Sequence, residues 1–461
     1  MNFEDDRLGY AFDGDYPESY DPQELARLRA IVPQQIGQLG PAGAAVDAQL
    51  LGILMGRRCA NDSSLAQVET RHRRDGSLCI VARGEVLLPA ADAGTVRDRF
   101  RTYREVLPAP GKRGHVRMRP SSVTASEVDK KIDECASAKV TAWPNYLATM
   151  AAVSKGIGGP EPADPPVPPG PSPANPMAVA AGGADLAPAG GDGTVKVRVA
   201  VIDTGIAAQS RVDPWLKVDR TADNVDALDV LPSGPDGLLD YAAGHGTFVA
   251  GIVQRVAPLA EIRMYRAADT DGFATDDDIA AAILQAHDDG AQVINLSLGV
   301  RTVDDTPPPA TAAAVATVLN ESGGATVIIA AAGNLGDQST VYPAALPGVH
   351  AVAGLTADLA PAGWSCSGDG IAFSTVAEGV RSSYVTGQES PVFDPAPDTF
   401  GNSAWAVWSG TSFAAPQIAG AVARISYEEQ IDVRAATEKL ARYGKEIAGY
   451  GKAMRILKGI G

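Results

Sequence analysis

The chain has 461 residues, too many for one hydrophobic core, so two or more domains are expected. It is 45% hydrophobic and 20% charged, an ordinary balance for a globular protein, and no run of eighteen apolar residues exists to form a membrane-spanning helix. A net charge of −16 disfavours nucleic acid as a general partner.

The first 45 residues form an acidic leader with no basic-then-apolar targeting pattern, so poor order and a cytoplasmic location are expected. Residues 46–155 read as a small α+β domain. A hairpin turns at Asp75-Gly76, a helix is expected over 91–106, a short strand follows at His115–Pro120, and a second helix runs over 121–139, with Thr124 as a possible cap. Residues 97–119 carry eight Arg or Lys against two acids; this reads as a solvated face or as a surface that docks on the acidic remainder of the chain. Residues 156–193 form a linker. Pro160–Pro176 holds nine prolines in seventeen residues, and a Gly/Ala-rich stretch follows.

From residue 194 to 461 the pattern changes. Continuous apolar strands ("VKVRVAVIDTG", "AEIRMYRA", "AQVINLSLG", "ATVIIAAAGN", "GVHAVAGL") are separated by helices at 275–290 and 309–324. Thr275 and Asp278 are spaced as a capping box, and Gly290 stops the first helix. This alternation predicts an α/β fold, a mostly parallel sheet with helices on both faces. Sites in such sheets form at the carboxyl ends of strands, where Asp203, Ser297 and Asn334 fall.

Three polar residues stand in apolar surroundings: Asp203 at a strand end, His245 in "GHGTFVAG", and Ser412 in "SGTSFAAP". An acid, an imidazole and a hydroxyl are the parts of an activated serine nucleophile. The hydroxyl needs a base, and histidine has the suitable pKa. The base needs a carboxylate to fix its tautomer. A serine in the first turn of a helix is expected to point its hydroxyl out of the fold, near free backbone N–H groups that favour a developing oxyanion. Asn334, in "AAAGN", offers a side-chain amide as a further oxyanion donor, and Gly333 beside it leaves room for substrate.

These blocks, "VAVIDTGI", "GHGTFVAGIV", "AAAGN" and "SGTSFAAP", resemble those of the subtilisin-like serine peptidases and occur in that family's order. The resemblance covers residues 195 to about 430 and implies a subtilisin-like fold and endopeptidase activity. It implies that Asp203 orients, His245 is general base and acid, Ser412 attacks, and Asn334 with the Ser412 backbone N–H holds the oxyanion. It also implies that Ser297, Leu298 and Gly299 pair with an extended peptide or protein substrate. Gly299 and Gly333 would flank the pocket for the side chain before the cleaved bond. Val300 departs from the family pattern, as does the long polar piece "RSSYVTGQESPVFDPAPDTFGNSAWAV". No cofactor is required. The family often binds calcium, but no ligand cluster can be assigned. The same triad could serve a dedicated precursor-processing peptidase or a peptide ligase, and an inactive peptide-binding module is the reading from another class.

Other candidates carry less. His72, His115, His287 and His350 read as structural or solvated, Ser409 as a turn residue, and the four separated cysteines as thiols outside any zinc site or disulfide framework, Cys366 included. Neither G-x-S-x-G nor H-E-x-x-H occurs, which argues against an α/β-hydrolase and a zinc peptidase. The family's secreted members carry a propeptide that blocks the cleft. Residues 46–155 have the right size for one, and "KVTAWPNYLATMAAVSKG" could lie in the cleft as a substrate-like strand, docked within the same chain.

Overall fold

The computed structural model describes residues 22–37, 39, 44–59, 65–106, 114–121, 128–150, 159–165, 196–212, 215–394, 396–457 and 459–460. Thr124 and most of the linker lie outside them. None of the described helices is long and apolar enough to cross a membrane.

The centre of the molecule is an eight-stranded sheet. It contains β7 (Arg198–Asp203), β8 (Glu261–Arg266), β10 (Val293–Leu296), β12 (Val327–Ala331), β13 (Val349–Leu355), β14 (Ile371–Val376), β19 (Lys445–Ile447) and β20 (Gly451–Ala453). The order is β19-β20-β14-β13-β12-β10-β7-β8, and every pair except β19–β20 is parallel. The central strands β10 and β12 read as unbroken apolar runs because both their faces are covered. Alternate residues of β7 go to opposite cores, Val199 and Val201 to one and Ala200 and Ile202 to the other. The first core is closed by α4 (His245–Val256), α7 (Ala415–Glu429) and α8 (Val433–Tyr443), the second by α5 (Asp276–Asp288) and α6 (Pro309–Ser322). Thr275 caps α5 as the sequence predicts, accepting from the Asp278 N–H at 3.3 Å.

A second, seven-stranded sheet joins the two halves of the chain. Its accessory strands are β1 (Val68–His72), β2 (Leu78–Pro89), β3 (Tyr103–Val106), β4 (His115–Pro120) and β5 (Trp143–Met150), with α3 (Val128–Ser137) packed against β2 and β5. The β1–β2 hairpin turns at Asp75-Gly76 as expected. The helix expected over 91–106 is not continuous. Only Ala93–Val96 is α-helical, and Tyr103–Val106 is a strand, because pairing with β4 satisfies its backbone and overrides local helical preference. The remaining two strands of this sheet, β9 (Phe273–Thr275) and β11 (Leu298–Gly299), belong to the other half, and both pair with β5.

Two further expectations are corrected. The stretch Pro22–Ile36, assigned to an ill-ordered leader, is a helix (α1) that buries Leu28, Val32 and Gln35. Residues 161–163 of the linker form an edge strand, β6 (Glu161–Ala163), on β18 (Trp405–Trp408), which pairs in turn with β15 (Val380–Ser383). Pro162 is tolerated because an edge strand has an unpaired side. The polar piece after Val380 supplies β15, β18 and the short pair β16 (Gly387–Gln388) and β17 (Thr399–Phe400).

Candidate active site

Asp203 is the last residue of β7, and His245 opens α4. His245 Nδ1 lies 2.7 Å from Asp203 Oδ1, with both side chains fully buried. The same carboxylate oxygen accepts from the Thr204 N–H at 2.8 Å. Gly246 lets α4 press on the turn after β7, since a Cβ there would overlap the Gly205 carbonyl. The imidazole packs against Trp408 and Phe413, with ring centroids 5.6 and 5.5 Å away.

Ser412 sits in a 3₁₀ turn, Thr411–Phe413, just before α7, and not in the first turn of the α-helix itself. Its hydroxyl does not point into solvent. Ser412 is fully buried, and its Oγ donates to the Ser297 carbonyl at 3.1 Å, while Ser297 Oγ donates to the Ser412 carbonyl at 2.8 Å. This reciprocal latch holds the 3₁₀ turn against the end of β10. His245 Nε2 is buried without a hydrogen-bond partner.

Asn334 follows β12. Its Oδ1 accepts from both the Thr411 N–H (2.9 Å) and the Thr411 hydroxyl (2.8 Å). A backbone N–H can meet only the oxygen end of an amide, so the orientation of Asn334 is fixed by chemistry and its NH₂ faces the other way. Gly333 N donates to Thr411 Oγ1 at 3.2 Å, tying the two loops again.

Leu298 and Gly299 are occupied as an edge. They pair antiparallel with β5, with Leu298 opposite Met150 and Gly299 opposite Thr149. On its other side β5 pairs with β9, with Leu147, Ala148 and Thr149 opposite Thr275, Ala274 and Phe273. Gly299 and Gly333 both face Val341. A Cβ added to Gly299 would stand 2.6 Å from one Val341 methyl, and one on Gly333 would stand 3.1 Å from the other. Val341 therefore fills much of the space between these two glycines. Val300 is buried and bridges Tyr342 through two backbone hydrogen bonds of 2.8 and 2.9 Å.

The sequence reading missed Asp226. It is fully buried, and its Oδ2 accepts from Thr204 Oγ1 at 3.0 Å and Gly244 N at 2.9 Å. Thr204 Oγ1 accepts in turn from Gly246 N at 3.0 Å, so Asp226 clamps the Asp203 turn to the start of α4. Burial pushes its carboxyl up to about 6. Nothing in "NVDAL" marks it, since a loop aspartate has no periodicity to break.

The basic surface at 97–119 meets acid through Arg117. Buried Glu85 is bonded by Arg117 (2.6 Å), Arg119 (2.6 Å) and Asn145 (2.8 Å), while Arg117 also approaches Asp277 and Asp278 of α5 at 3.7 and 3.5 Å. Burial opposes ionisation of Glu85, but the two guanidiniums hold its carboxyl below its ordinary value. A second helix, α2 (Ala44–Cys59), inserts Arg57 toward Asp240 and Arg58 toward Asp269, and stacks them over Phe393 and Phe273.

Cys366 is buried beside Asp337, and burial pushes its thiol up to about 11, so it is no nucleophile near neutral pH. Cys79 and Cys135 are buried free thiols. Among the described residues no group of three or more His, Cys, Asp or Glu is arranged to hold a metal ion, and no step below is routed through calcium.

A parallel sheet carrying an acid, an imidazole and a serine loop at one rim defines the subtilisin-like class of fold. Residues 194–442 match the model of the subtilase family, and the chain belongs to that family. It is 34% identical over 266 residues to the thermophilic serine proteinase of Bacillus sp. (strain AK1), covering 55% of this chain and 57% of that one. The chain thus spans about half the length of the curated relatives of this kind that it matches. Among solved structures, fervidolysin from Fervidobacterium pennivorans, a keratinolytic enzyme related to subtilisin, superposes with a TM-score of 0.56 at 20% identity, covering 85% of this chain and 63% of that one. An epidermin leader peptide processing serine protease from Staphylococcus aureus superposes with a TM-score of 0.54 at 16% identity, over 82% of this chain and 97% of that one. These two likenesses extend beyond residues 194–442, so the shared fold takes in part of the N-terminal half.

Proposed function

We propose that this chain is a serine endopeptidase whose cleft is occupied by its own N-terminal half. The observation that carries this reading is the pairing of β5 with β11 and β9: an extended segment of the chain lies along the edge next to Ser412, as a peptide substrate would.

In the proposed reaction, substrate replaces β5 and pairs with Leu298 and Gly299. Its scissile carbonyl enters beside Ser412. The Ser412 hydroxyl leaves the Ser297 carbonyl and turns to His245 Nε2, the imidazole nitrogen without a partner. Such hydrogen bonds commonly tighten only when substrate is bound. His245 takes the proton as Ser412 Oγ bonds to the carbonyl carbon. Asp203 holds Nδ1–H and stabilises the imidazolium. The oxyanion meets the Asn334 NH₂, oriented by Thr411, and the Ser412 N–H. His245 then protonates the leaving amine, and water, deprotonated by the same imidazole, releases the acyl group. Val341 restricts the side chain before the cleaved bond to a small residue.

A fluorophosphonate probe tests the assignment. The incubated chain should be labelled at Ser412 and the Ser412→Ala variant should not. Failure to label the wild-type chain, intact or self-cut, would leave the inactive peptide-binding module as the better reading.

A further inference from the structure

Helix α1 precedes the accessory domain in sequence, yet it packs against β18, the strand that leads to Ser412. Leu28 and Val32 form an apolar cluster with Val407 and Ile460, with Leu25, Ile36 and Ala163 at its margin. At the end of this helix Gln35 is fully buried, and each end of its amide is used. Its Nε2 donates to the Gly159 carbonyl at 2.7 Å and the Val407 carbonyl at 3.1 Å, and its Oε1 accepts from Ser409 Oγ at 2.8 Å. Ser409 Oγ in turn accepts from Gly379 N at 2.9 Å.

The partners of Gln35 on the peptidase side are the residues on either side of Trp408. That ring lies 5.6 Å from the His245 imidazole and 5.1 Å from Phe413, the neighbour of Ser412. After Ser409 comes Gly410, at φ 146°, whose N–H is held by the Ala377 carbonyl. The chain is therefore held at three of the four residues that precede Thr411 and Ser412: Val407, Ser409 and Gly410. Val407 is also paired with Arg381 and Glu161, and Ser409 with Gly379, but two of the three positions share a further tie to one side chain more than 370 residues away. A fully satisfied polar side chain in an apolar seam specifies one geometry, because any shift leaves a buried donor or acceptor unpaired.

We propose that Gln35 is a positioning residue for the nucleophile loop, so that helix α1 is a working part of the peptidase although it lies upstream of the accessory domain. The proposal rests on the peptidase reading above. Gln35 touches no reacting atom; it acts through Val407 and Ser409 on the seating of Trp408 and Ser412. A peptidase segment taken without α1 then lacks a brace as well as the cleft strand, and its turnover reports on both.

The test uses the full chain with Gln35→Met, which keeps the volume and loses the hydrogen bonds, with Ser409→Ala, and with both. The rate of fluorophosphonate labelling of Ser412 is followed after incubation, and melting temperature is measured in parallel. Each single variant is expected to label about tenfold more slowly. The double variant is expected to be no slower than the slower single, because both changes break one contact, and melting should shift by only a few degrees. A role in folding alone would move melting and leave labelling of the folded fraction unchanged. Wild-type labelling rates in the single variants, or a double variant whose slowing is the product of the two, would overturn the proposal. If Gln35→Met does not accumulate folded, Ser409→Ala alone decides, since it leaves the helix seat intact. A wild-type chain that never labels removes the peptidase reading, and this inference with it.

Discussion

The peptidase body and the accessory domain are held by different chemistry. In the body, β10 and β12 are buried along their whole length and carry no charged side chain. Between the two parts, shared apolar clusters (Val81, Tyr146, Ala148 and Met150 with Ile202 and Ala274; Leu54 and Leu147 with Phe273 and Phe393) are joined by ion pairs that those central strands lack: Arg117 with Asp277 and Asp278, Arg57 with Asp240, and Arg58 with Asp269. Apolar burial is non-directional and accumulates with area. A buried ion pair contributes little net stability but is costly to break from one side. The apolar clusters thus hold the accessory domain on the body, and the ion pairs fix the register in which it seats. That register lays β5 on the substrate edge.

Five substitutions would break or sharpen this contrast. The largest effect is expected at the catalytic rim: Ser412→Ala should lower turnover on the order of 10⁶-fold, and Asn334→Ala about 10²–10³-fold, on a peptide substrate. Both scales come from subtilisin itself, the family's own worked case. Circular dichroism should show the fold unchanged in each. A loss of only a few-fold in the first would mean that the rim is not the site.

At the ionic seam, Glu85→Ala leaves Arg117 and Arg119 buried without their carboxylate. These groups all belong to the accessory domain, so the change should destabilise that domain by about 3–5 kcal/mol. Hydrogen exchange should then deprotect β5 while β10 and β12 stay protected. Joint deprotection of all three would show that the two parts form one cooperative unit.

Within the pocket, Val341→Ala should admit a larger residue before the cleaved bond. Relative kcat/KM for a Leu over an Ala substrate should rise about tenfold, the scale of a methyl-sized volume change. No change would remove Val341 from the pocket.

The smallest effect concerns the strap β6. Burial raises Glu161 to about 8, and Asp398 and Glu389 beside it push the same way, against Arg27. A carboxyl raised by docking favours the docked state most below its ordinary value of 4.5, and progressively less as pH climbs toward 8. Retention of the N-terminal half should therefore be weaker at pH 9 than at pH 6, and Glu161→Gln should flatten that dependence. Gel filtration of the self-cut protein at both values reads it. Equal retention in wild type and Glu161→Gln would discount the strap.

Legibility followed the same divide. Five strands of the body were legible in the sequence, the clearest as apolar runs with Asp203, Ser297 and Asn334 just at or past their ends; β14, β19 and β20 were not, since β14 carries Ser374 and Thr375 and the other two are three-residue strands. Helix α1 was not legible either: it contains Pro33, it lies in an acidic stretch, and its apolar face is complete only against Val407 and Ile460. Strand β3 looked helical because Arg-rich segments favour helices locally, and only β4 makes it a strand. Asp226 and Gln35 owe their roles to partners far along the chain, which no local pattern records. The burial of Ser412 was likewise invisible, since its latch partner Ser297 lies 115 residues away.

The central claim, that this chain cuts peptide bonds and keeps its own strand on the substrate edge, is tested most directly by N-terminal sequencing and intact mass of the incubated full-length protein beside Ser412→Ala. The account predicts a new N-terminus within a few residues after Met150 in the wild type and an unchanged chain in the variant. Identical cutting in both, or a self-cut far from Met150 with the β5 region intact, would contradict it.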